Sequence, residues 1–326
     1  MIFSQLKSSN NVTKPFLQSR MISLIAPASV NSFYDANKNK IVSVDATWYM
    51  PDVPMNGFNE FQKRRLKDAV FFDIEKIKDH ESDFPHMLPS QRFFEKEVSR
   101  LGICNDDNIV FYDQQGVFSL CRAAWMFEVF GHDLEKIYIL NTFPGYSKNT
   151  SDPNLVMKLH GANTLVDESI VTSSSTLPKS EYKTKFDDSK VVSYEQLLSL
   201  VQDNKIGDEY TLIDARSASR FTGEAPEPRE GLSSGHIKNA INIPFTELLT
   251  PDKSFLSTMT LNNIFKRHNV DDSKPIIVMC GTGVTACVVR AAMQLAGFDS
   301  SKIAVYDGSW TEWAQRAPSS LIVKDI

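Results

Sequence analysis

One cysteine stands where an α/β protein would place a reactive thiol. Residues 276–280 read Ile-Ile-Val-Met-Cys, so Cys280 ends an apolar run that predicts a buried strand. A short loop follows, and then a run with helical periodicity that is predicted to end at Gly297. Ligands of open α/β sheets bind beyond the carboxyl ends of the strands, so we expect Cys280 to lie in an open crevice.

The loop after the cysteine has the composition of an anion-binding nest. It consists of Gly281, Thr282, Gly283, Val284 and Thr285. Two glycines let the backbone curl so that successive N–H groups point inward, and the N-terminus of the next helix adds positive potential. Such a nest would favour a thiolate without any basic side chain and make Cys280 a nucleophile. A buried structural cysteine is the alternative interpretation.

The other cysteines indicate neither a disulfide framework nor a metal site. The chain has four cysteines, and none belongs to a C-x-x-C pair or has a histidine at metal-ligand spacing. We therefore expect a reducing compartment, no metal and no organic cofactor. Cys287 lies on the predicted helix and is interpreted as a packing residue.

Landmarks around the cysteine recur earlier in the chain, with separations of 166 to 171 residues. The pairs are 45 and 214, 66 and 237, 113 and 280, and 131 and 297. Short apolar runs alternate with helical periodicity in each copy, which predicts an α/β fold of two similar domains, each a mostly parallel sheet with helices on both faces. Asp113 corresponds to Cys280 and cannot act as a sulfur nucleophile, so the first copy is predicted to be catalytically silent.

The repeat divides the chain into four segments. Residues 21–148 form the predicted silent domain and residues 191–326 the predicted catalytic domain. Residues 149–190 are rich in Ser, Thr, Lys and Asp and are interpreted as a linker able to wrap one domain. Residues 1–20 are either a mitochondrial transit peptide or a disordered tail.

Two observations bear on the location of the protein. From residue 1 to residue 34 there is no acidic residue, whereas three residues are basic and seven are serine, as is typical of a transit peptide. An internal start at Met21 would yield a form without this segment. Cytoplasmic placement, mitochondrial placement or both is therefore a hypothesis.

Charge and hydropathy exclude some classes of partner. The 326 residues include 35 Lys and Arg against 40 Asp and Glu, for a net charge of −5, and no basic block indicates direct nucleic-acid binding. No apolar run reaches the roughly 18 residues of a membrane span. A small soluble substrate or a protein partner is expected.

Three segments together resemble the tandem-rhodanese sulfurtransferases. They are Gly-His-Ile-Lys-Asn-Ala-Ile-Asn-Ile-Pro at 235–244, Cys-Gly-Thr-Gly-Val-Thr at 280–285 and Tyr-Asp-Gly-Ser-Trp-Thr-Glu-Trp at 306–313. The resemblance runs from about Leu24 to the C-terminus and implies two tandem rhodanese-like domains. The loop is similar to that of the mercaptopyruvate sulfurtransferase branch, whereas thiosulfate-preferring members usually carry Arg-Lys after the cysteine. Without those cations the site suits a monocarboxylate better than a dianion.

The resemblance also implies roles for individual residues. Arg220 and Arg229 match the arginines that hold the substrate carboxylate, for which a planar guanidinium is well suited. Thr282 matches a loop hydroxyl that donates a hydrogen bond or helps to move a proton. His86 and Glu75 match a histidine and an acidic residue that reach across the interdomain cleft. The family position at Glu75 is usually Asp, which leaves the role of this longer side chain open.

The implied reaction is sulfur transfer from mercaptopyruvate through a Cys280 persulfide. Thiosulfate is left open as a second donor, and the acceptor is a small thiol, a thioredoxin-like protein or a rhodanese-bearing activating enzyme. The overall likeness is greatest to a fungal branch member, which implies a role in thiolation of the tRNA wobble uridine.

Two other functions are compatible with parts of the sequence. A cysteine phosphatase of related fold would need a Cys-x5-Arg loop, but the sixth residue here is Ala286, and Arg290 lies about one helical turn too far. A non-catalytic persulfide carrier or binding module describes the first copy better than the second. Arg216, near Asp214, is interpreted as a structural ion-pair partner rather than a substrate ligand.

Overall fold

The structure is a computed structural model that describes residues 22–37, 41–157 and 180–326. The predicted transit segment, residues 1–20, and the central part of the predicted linker lie outside these ranges. Within the described ranges, no helix is both long and apolar enough to cross a membrane.

The first domain is built around one parallel sheet. The strands of this domain are β1 (Ser23–Ile25), β2 (Ile41–Asp45), β3 (Arg64–Leu66), β4 (Val70–Phe71), β5 (Asn108–Tyr112), β6 (Ile137–Leu140) and β7 (Leu155–Met157). Strands β3 and β7 form a separate pair outside the parallel sheet. Its helices are α1 (Val30–Ala36), α2 (Gly57–Lys63), α3 (Gln91–Arg100), α4 (Leu120–Val129) and α5 (Phe143–Tyr146). The parallel sheet has the strand order β1-β6-β5-β2-β4.

The second domain repeats this plan. Its strands are β8 (Val191–Val192), β9 (Thr211–Asp214), β10 (Ile241–Asn242), β11 (Ile276–Met279) and β12 (Ile303–Tyr306). Its helices are α6 (Tyr194–Gln202), α7 (Ala218–Thr222), α8 (Thr258–Arg267), α9 (Ala286–Leu295) and α10 (Ser309–Arg316). The sheet is again parallel, with the order β10-β9-β11-β12-β8.

The two sheets correspond strand for strand, which confirms the predicted internal repeat and the α/β fold. Strand β11, which precedes the cysteine loop, corresponds to β5 and lies in the middle of its sheet. All four of its residues are buried, as expected of an apolar strand covered on both faces.

The helices that follow the two corresponding loops pack against each other across the domain interface. These are α4 in the first domain and α9 in the second. Buried side chains from both domains, Met126 and Val288 among them, belong to one hydrophobic cluster. The domains therefore share a core.

Both described ends of the predicted linker lie on the first domain. Strand β7 pairs antiparallel with β3. Further along, Tyr182 is buried, and the N–H of Lys185 donates to the Phe130 carbonyl at 2.9 Å. Gly131 makes this contact possible, because a Cβ there would lie 2.6 Å from the Lys185 carbonyl oxygen.

Candidate active site

Cys280 lies directly after β11, and the start of α10 holds its backbone. The N–H of Trp310 donates to the Cys280 carbonyl at 2.9 Å, and the Ser309 hydroxyl accepts from the Cys280 N–H at 3.2 Å. Only 2% of Cys280 is exposed. The expectation of an open crevice is therefore wrong for the thiol itself, because α10 and the first domain cover the loop.

The loop that follows has free amide donors. Within the described part of the chain, the N–H groups of residues 281–285 donate to no protein acceptor. Helix α9 begins at Ala286 with no side-chain cap, so its N-terminal potential also remains available. Gly283 adopts a φ of +75°, which an L side chain rarely adopts. These features support an anion site formed by the backbone around Cys280.

The corresponding loop of the first domain is filled by its own carboxylate. Asp113 is buried and accepts from the N–H groups of Gln115 at 2.9 Å and Leu120 at 3.2 Å. Burial raises the pKa of Asp113 to about 7. This loop offers neither a thiol nor a vacant set of amide donors, which supports its predicted silence.

Cys287 is the second residue of α9 and differs from Cys280 in its surroundings. Its Sγ donates to the Gly283 carbonyl at 3.2 Å, and burial raises its pKa to about 12. A buried thiol that stays protonated is a packing residue, as predicted.

His86 reaches the loop of residues 281–285, the candidate catalytic loop, from the first domain. Its Nδ1 lies 3.2 Å from Thr282 Oγ1, and its Nε2 lies 2.9 Å from Glu75 Oε1. The indole N–H of Trp48 donates to the same Glu75 oxygen at 2.8 Å. Glutamate at position 75 is therefore long enough to reach the histidine, despite its departure from the family pattern.

The hydrogen-bond partners decide which nitrogen of the His86 ring carries the proton. An ionised carboxylate can only accept, so Nε2–H donates to Glu75 and Nδ1 of the neutral ring accepts from the Thr282 hydroxyl. The hydrogen bond from His86 lowers the pKa of Glu75 to about 2, and burial lowers the pKa of His86. A neutral His86 is thus placed to take a proton from Thr282.

Glu227 organises the arginines on the other side of the loop. Its buried carboxylate lies 2.7 Å from Nη1 of Arg216 and also binds Nη2 of Arg220. Arg216 in turn pairs with Asp214 at 2.6 Å and lies over the Trp310 ring. The prediction that Arg216 is a structural partner of Asp214 is confirmed.

Arg229 lies near the thiol without a side-chain partner. Burial lowers the pKa of Arg229, and Glu75, Arg220 and Cys280 are among the groups close enough to act on its guanidinium. Among the described residues, no hydrogen bond or ion pair engages its guanidinium. Nη2 of Arg220 lies 3.2 Å from the place that a Cβ on Gly281 would occupy. Both predicted carboxylate-binding arginines therefore lie at the loop, and basic side chains do contribute positive potential there.

Sequence reasoning missed several residues that build this site. Glu227 and Trp48 stand in segments that the family resemblance covers, but nothing in their local pattern indicates that one orders two arginines and the other orients Glu75. Arg122 and Asp307 form a buried ion pair between the domains, at 2.7 Å. No local signal could have found that pair, because its members lie 185 positions apart in the chain.

The geometry does not favour a phosphate-binding Cys-x5-Arg loop. Arg290 points away from Cys280, and its Nη1 and Nη2 bind the carboxylate of Glu128 in the first domain at 2.6 and 2.8 Å. Its guanidinium is therefore occupied in the domain interface.

Comparisons with known proteins agree with this geometry. The model of the rhodanese-like domain matches residues 193–316. Thiosulfate sulfurtransferase TUM1 of Saccharomyces cerevisiae is 36% identical over 317 residues, covering 94% of this chain and 99% of that protein. The mitochondrial thiosulfate/3-mercaptopyruvate sulfurtransferase 1 of Arabidopsis thaliana is 38% identical over 278 residues, covering 83% of this chain and 71% of that protein.

A solved structure shows the same arrangement of two domains. The crystal structure of Tum1 from Saccharomyces cerevisiae has a TM-score of 0.80 at 35% identity, covering 93% of this chain and 98% of that one. The likeness extends over nearly the whole of both chains, the first domain included. The chain therefore belongs to the tandem-rhodanese sulfurtransferases, the family that its motifs predicted.

Proposed function

We propose that this sulfurtransferase moves sulfur from 3-mercaptopyruvate to thiol acceptors through a persulfide on Cys280, with thiosulfate as a second donor. The proposal depends on one observation: among the described residues, Cys280 precedes a loop whose amides have no protein acceptor, and the guanidinium of nearby Arg229 has no hydrogen-bond or ion-pair partner. The names of the yeast and plant relatives support the same donors.

Arg229 and Arg220 bind the donor in this proposal. A carboxylate that enters the site meets the guanidinium of Arg229, while Arg220 is held in place by Glu227. Positions 281 and 282 are Gly and Thr, so the loop carries no lysine or arginine of its own. A donor with one carboxylate therefore matches the site better than a compact dianion.

The sulfur-transfer step needs no group beyond the donor and the protein. The Cys280 thiolate attacks the donor sulfur, the carbon–sulfur bond breaks, and its electron pair leaves on the methylene carbon as the enolate of pyruvate. The proton of the donor thiol reaches that carbon by way of Thr282 and His86, so pyruvate and a Cys280 persulfide anion are the products. The free amides of the loop stabilise the negative charge on sulfur before and after transfer.

In the transfer to an acceptor, the sulfur of Cys280 is the leaving group, whereas in the first step it was the nucleophile. The acceptor thiolate attacks the outer sulfur, the S–S bond breaks, and Cys280 leaves as the thiolate that begins the next cycle. Because Cys280 is 2% exposed, a protein acceptor must present its thiol on a protruding segment. A thioredoxin-like protein or a rhodanese-bearing activating enzyme fits this requirement, and the latter would place the protein in tRNA wobble-uridine thiolation.

The proposal is tested by measuring pyruvate release and intact mass after treatment with mercaptopyruvate. Wild type should release pyruvate and gain the mass of one sulfur atom. Cys280→Ser should do neither, because a hydroxyl is a far weaker nucleophile at neutral pH. Cys104→Ser is the matched control and should behave as wild type. A sulfur adduct that persists in Cys280→Ser would place the chemistry elsewhere.

The acceptor is tested separately with protein that already carries the persulfide. It should label a rhodanese-bearing activating enzyme faster than a small thiol at equal concentration, and cells that lack the protein should contain less thiolated wobble uridine. Normal thiolation and no rate advantage would restrict the function to mercaptopyruvate metabolism.

We also propose that residues 1–20 direct part of the protein to mitochondria. Their acid-free, serine-rich composition supports this, as does the mitochondrial name of the plant relative. Deletion of these residues should leave catalysis unchanged and remove a tagged protein from mitochondria. Equal distribution of both forms would favour a plain tail.

A further inference from the structure

Arg122 is a buried cation that the proposed chemistry does not use. It lies on α4 of the silent domain with no exposed surface, and its guanidinium lies over the Trp125 ring at 4.5 Å. Its Nη2 pairs with Oδ1 of Asp307 at 2.7 Å and also donates to the carbonyl oxygen of His86. A single guanidinium therefore binds the segment that carries the interdomain histidine.

Asp307 extends this contact into the catalytic domain. It follows β12, and its Oδ2 accepts from the N–H of Leu88 at 2.8 Å. The ion pair of Arg122 with Asp307 thus grips the His86 segment at both ends, through the carbonyl of residue 86 and the N–H of residue 88.

Arg122 also lies against the catalytic loop. Its Nη1 is buried and has no hydrogen-bond partner within the described part of the chain. The same nitrogen lies 2.9 Å from the place that a Cβ on Gly283 would occupy. The guanidinium therefore fills the space between the loop and the His86 segment.

The backbone of His86 needs such support. Its φ is +62°, a left-handed conformation that is unfavourable for a non-glycine residue and persists only where the surroundings hold it. Without a grip on its carbonyl, the residue would relax toward an ordinary φ and swing its ring away from Thr282.

We propose that Arg122 is a positioning residue for sulfur transfer, which holds His86 against Thr282 by fixing the His86 carbonyl to Asp307 and to the wall of the catalytic loop. This inference rests on the proposed function, since it assigns Arg122 a part in the same reaction. The silent domain then contributes to catalysis through its own helix α4 as well as through His86.

The first test compares two buried arginines that both span the domain interface. Arg122→Lys keeps the positive charge but replaces the planar guanidinium, whose Nη2 contacts both the His86 carbonyl and Asp307, with a compact ammonium group. Arg290→Lys is the matched control, since Arg290 grips Glu128 with two nitrogens but does not touch His86.

We expect kcat with mercaptopyruvate to fall by about tenfold to a hundredfold in Arg122→Lys while KM changes by less than about twofold. Arg290→Lys should keep both constants. Equal loss of kcat in the two variants would overturn the proposal, because the effect would then follow from a loosened interface.

A second test asks whether Arg122 acts through His86. In a His86→Gln background, Arg122→Lys should lower kcat by less than about twofold, because the group that it positions is absent. A full further loss in the double variant would overturn the proposal.

A third readout is independent of activity. Nitrogen NMR of isotope-labelled histidine reports on the ring of each of the six histidines, and His86→Gln identifies the signal of residue 86. Arg122→Lys should shift that signal and Arg290→Lys should not. An unchanged His86 signal would overturn the proposal even if activity fell. An inactive wild type would instead contradict the proposed function and leave this measurement readable.

Should Arg122→Lys fail to fold, Asp307→Asn replaces it in all three measurements. That variant removes the charged partner of Arg122 but keeps an oxygen for the Leu88 N–H. It should lower kcat and shift the His86 signal in the same directions, and the absence of both effects would overturn the proposal.

Discussion

The arginines beside the catalytic loop differ in one respect that decides their roles. Arg220 shares the buried carboxylate of Glu227 with Arg216, whereas Arg229 has no partner among the described side chains. A guanidinium that is already neutralised by a neighbour adds rigidity, and one without a partner gains most from an incoming carboxylate. Arg229 is therefore the stronger candidate for direct donor binding.

Arg229→Ala should raise KM for mercaptopyruvate, because one charged hydrogen-bond partner of the donor is removed. The increase should correspond to a loss of about 1.5 to 3 kcal/mol of binding free energy. Steady-state measurement of pyruvate release gives the value. Arg220→Ala should also raise KM and, in addition, lower the free energy of unfolding, because Glu227 loses one of its two partners. Arg267→Ala, an exposed arginine on α8, is the control and should change neither quantity. A wild-type KM in Arg229→Ala would remove this residue from the binding site.

The pH dependence of kcat should reveal the neutral form of His86. Glu75, Arg122 and Arg229 are the charged groups that act on its ring, and burial lowers its pKa. Activity should therefore persist below the ordinary pKa of histidine and fall only at more acidic pH, where the ring becomes protonated and can no longer accept from Thr282.

Glu75→Gln should move this acid limb to still lower pH. The carboxylate raises the pKa of His86, so its removal leaves burial and the arginine charges to act alone. Glu75→Asp, the residue usual in the family, is the conservative control and should retain an acid limb close to that of wild type. A limb that moves to higher pH in Glu75→Gln would contradict the assigned proton positions.

Local sequence signals predicted part of this site, and long-range contacts account for the rest. The apolar run before Cys280 and the glycines after it lie within ten residues of each other, so their pattern could be interpreted directly. The pairing of Glu227 with two arginines depends on how a surface loop folds back. The burial of Cys280 depends on α10 and on the other domain. Neither feature has a local signature.

At the scale of elements, the catalytic loop depends on a glycine that serves two purposes. Gly283 has a φ of +75°, and a Cβ at this position would lie 2.8 Å from the Asp307 carbonyl oxygen. The residue must therefore adopt a left-handed backbone and also leave room for the strand end and the arginine that approach it. Both requirements exclude a side chain.

Gly283→Ala should abolish most activity and destabilise the protein by more than the roughly 1 to 2 kcal/mol of a left-handed alanine. Gly297→Ala is a well-matched control, since that glycine has a φ of +93° but no atom of the described residues within 4 Å of the place its Cβ would occupy. Gly297→Ala should lose only the stability that corresponds to a left-handed alanine, and it should keep its activity. Urea unfolding and pyruvate release measure both variants. If Gly283→Ala and Gly297→Ala lost the same stability and activity, the close contacts of position 283 would have no effect on either quantity.

At the scale of the molecule, the interface between the domains contains a second buried ion pair. Glu128 on α4 and Arg290 on α9 are both nearly inaccessible, and Lys190 lies 3.2 Å from the same carboxylate. The repeat in the sequence predicted two similar domains, but it carried no information on how they dock. In the sequence, α4 and α9 each have only the apolar composition of a buried helix, which does not specify that they pack against each other.

Glu128→Gln should lower the free energy of unfolding by about 3 to 5 kcal/mol, because Arg290 then keeps a buried charge without its counterion. KM for mercaptopyruvate should stay unchanged, since this pair lies away from the catalytic loop. Denaturant unfolding and steady-state kinetics on the same sample check both statements. The double variant Glu128→Leu with Arg290→Met is the control and should lose less stability, because neither charge remains. A raised KM in Glu128→Gln would contradict the separation of interface from site.

The ribosome makes this chain from the N-terminus, and this order determines when α10 can form its hydrogen bonds to Cys280. The N–H and the carbonyl of Cys280 are hydrogen-bonded to Ser309 and Trp310. Both residues are translated after the cysteine and after the whole first domain. Until they emerge, the hydrogen bonds that hold the backbone of Cys280 cannot form. The backbone of Cys280 is therefore fixed only after the first domain, which places His86 and Arg122 beside the loop, has been synthesised. Burial of the thiol and fixation of its backbone thus both wait until helix α10 has been made.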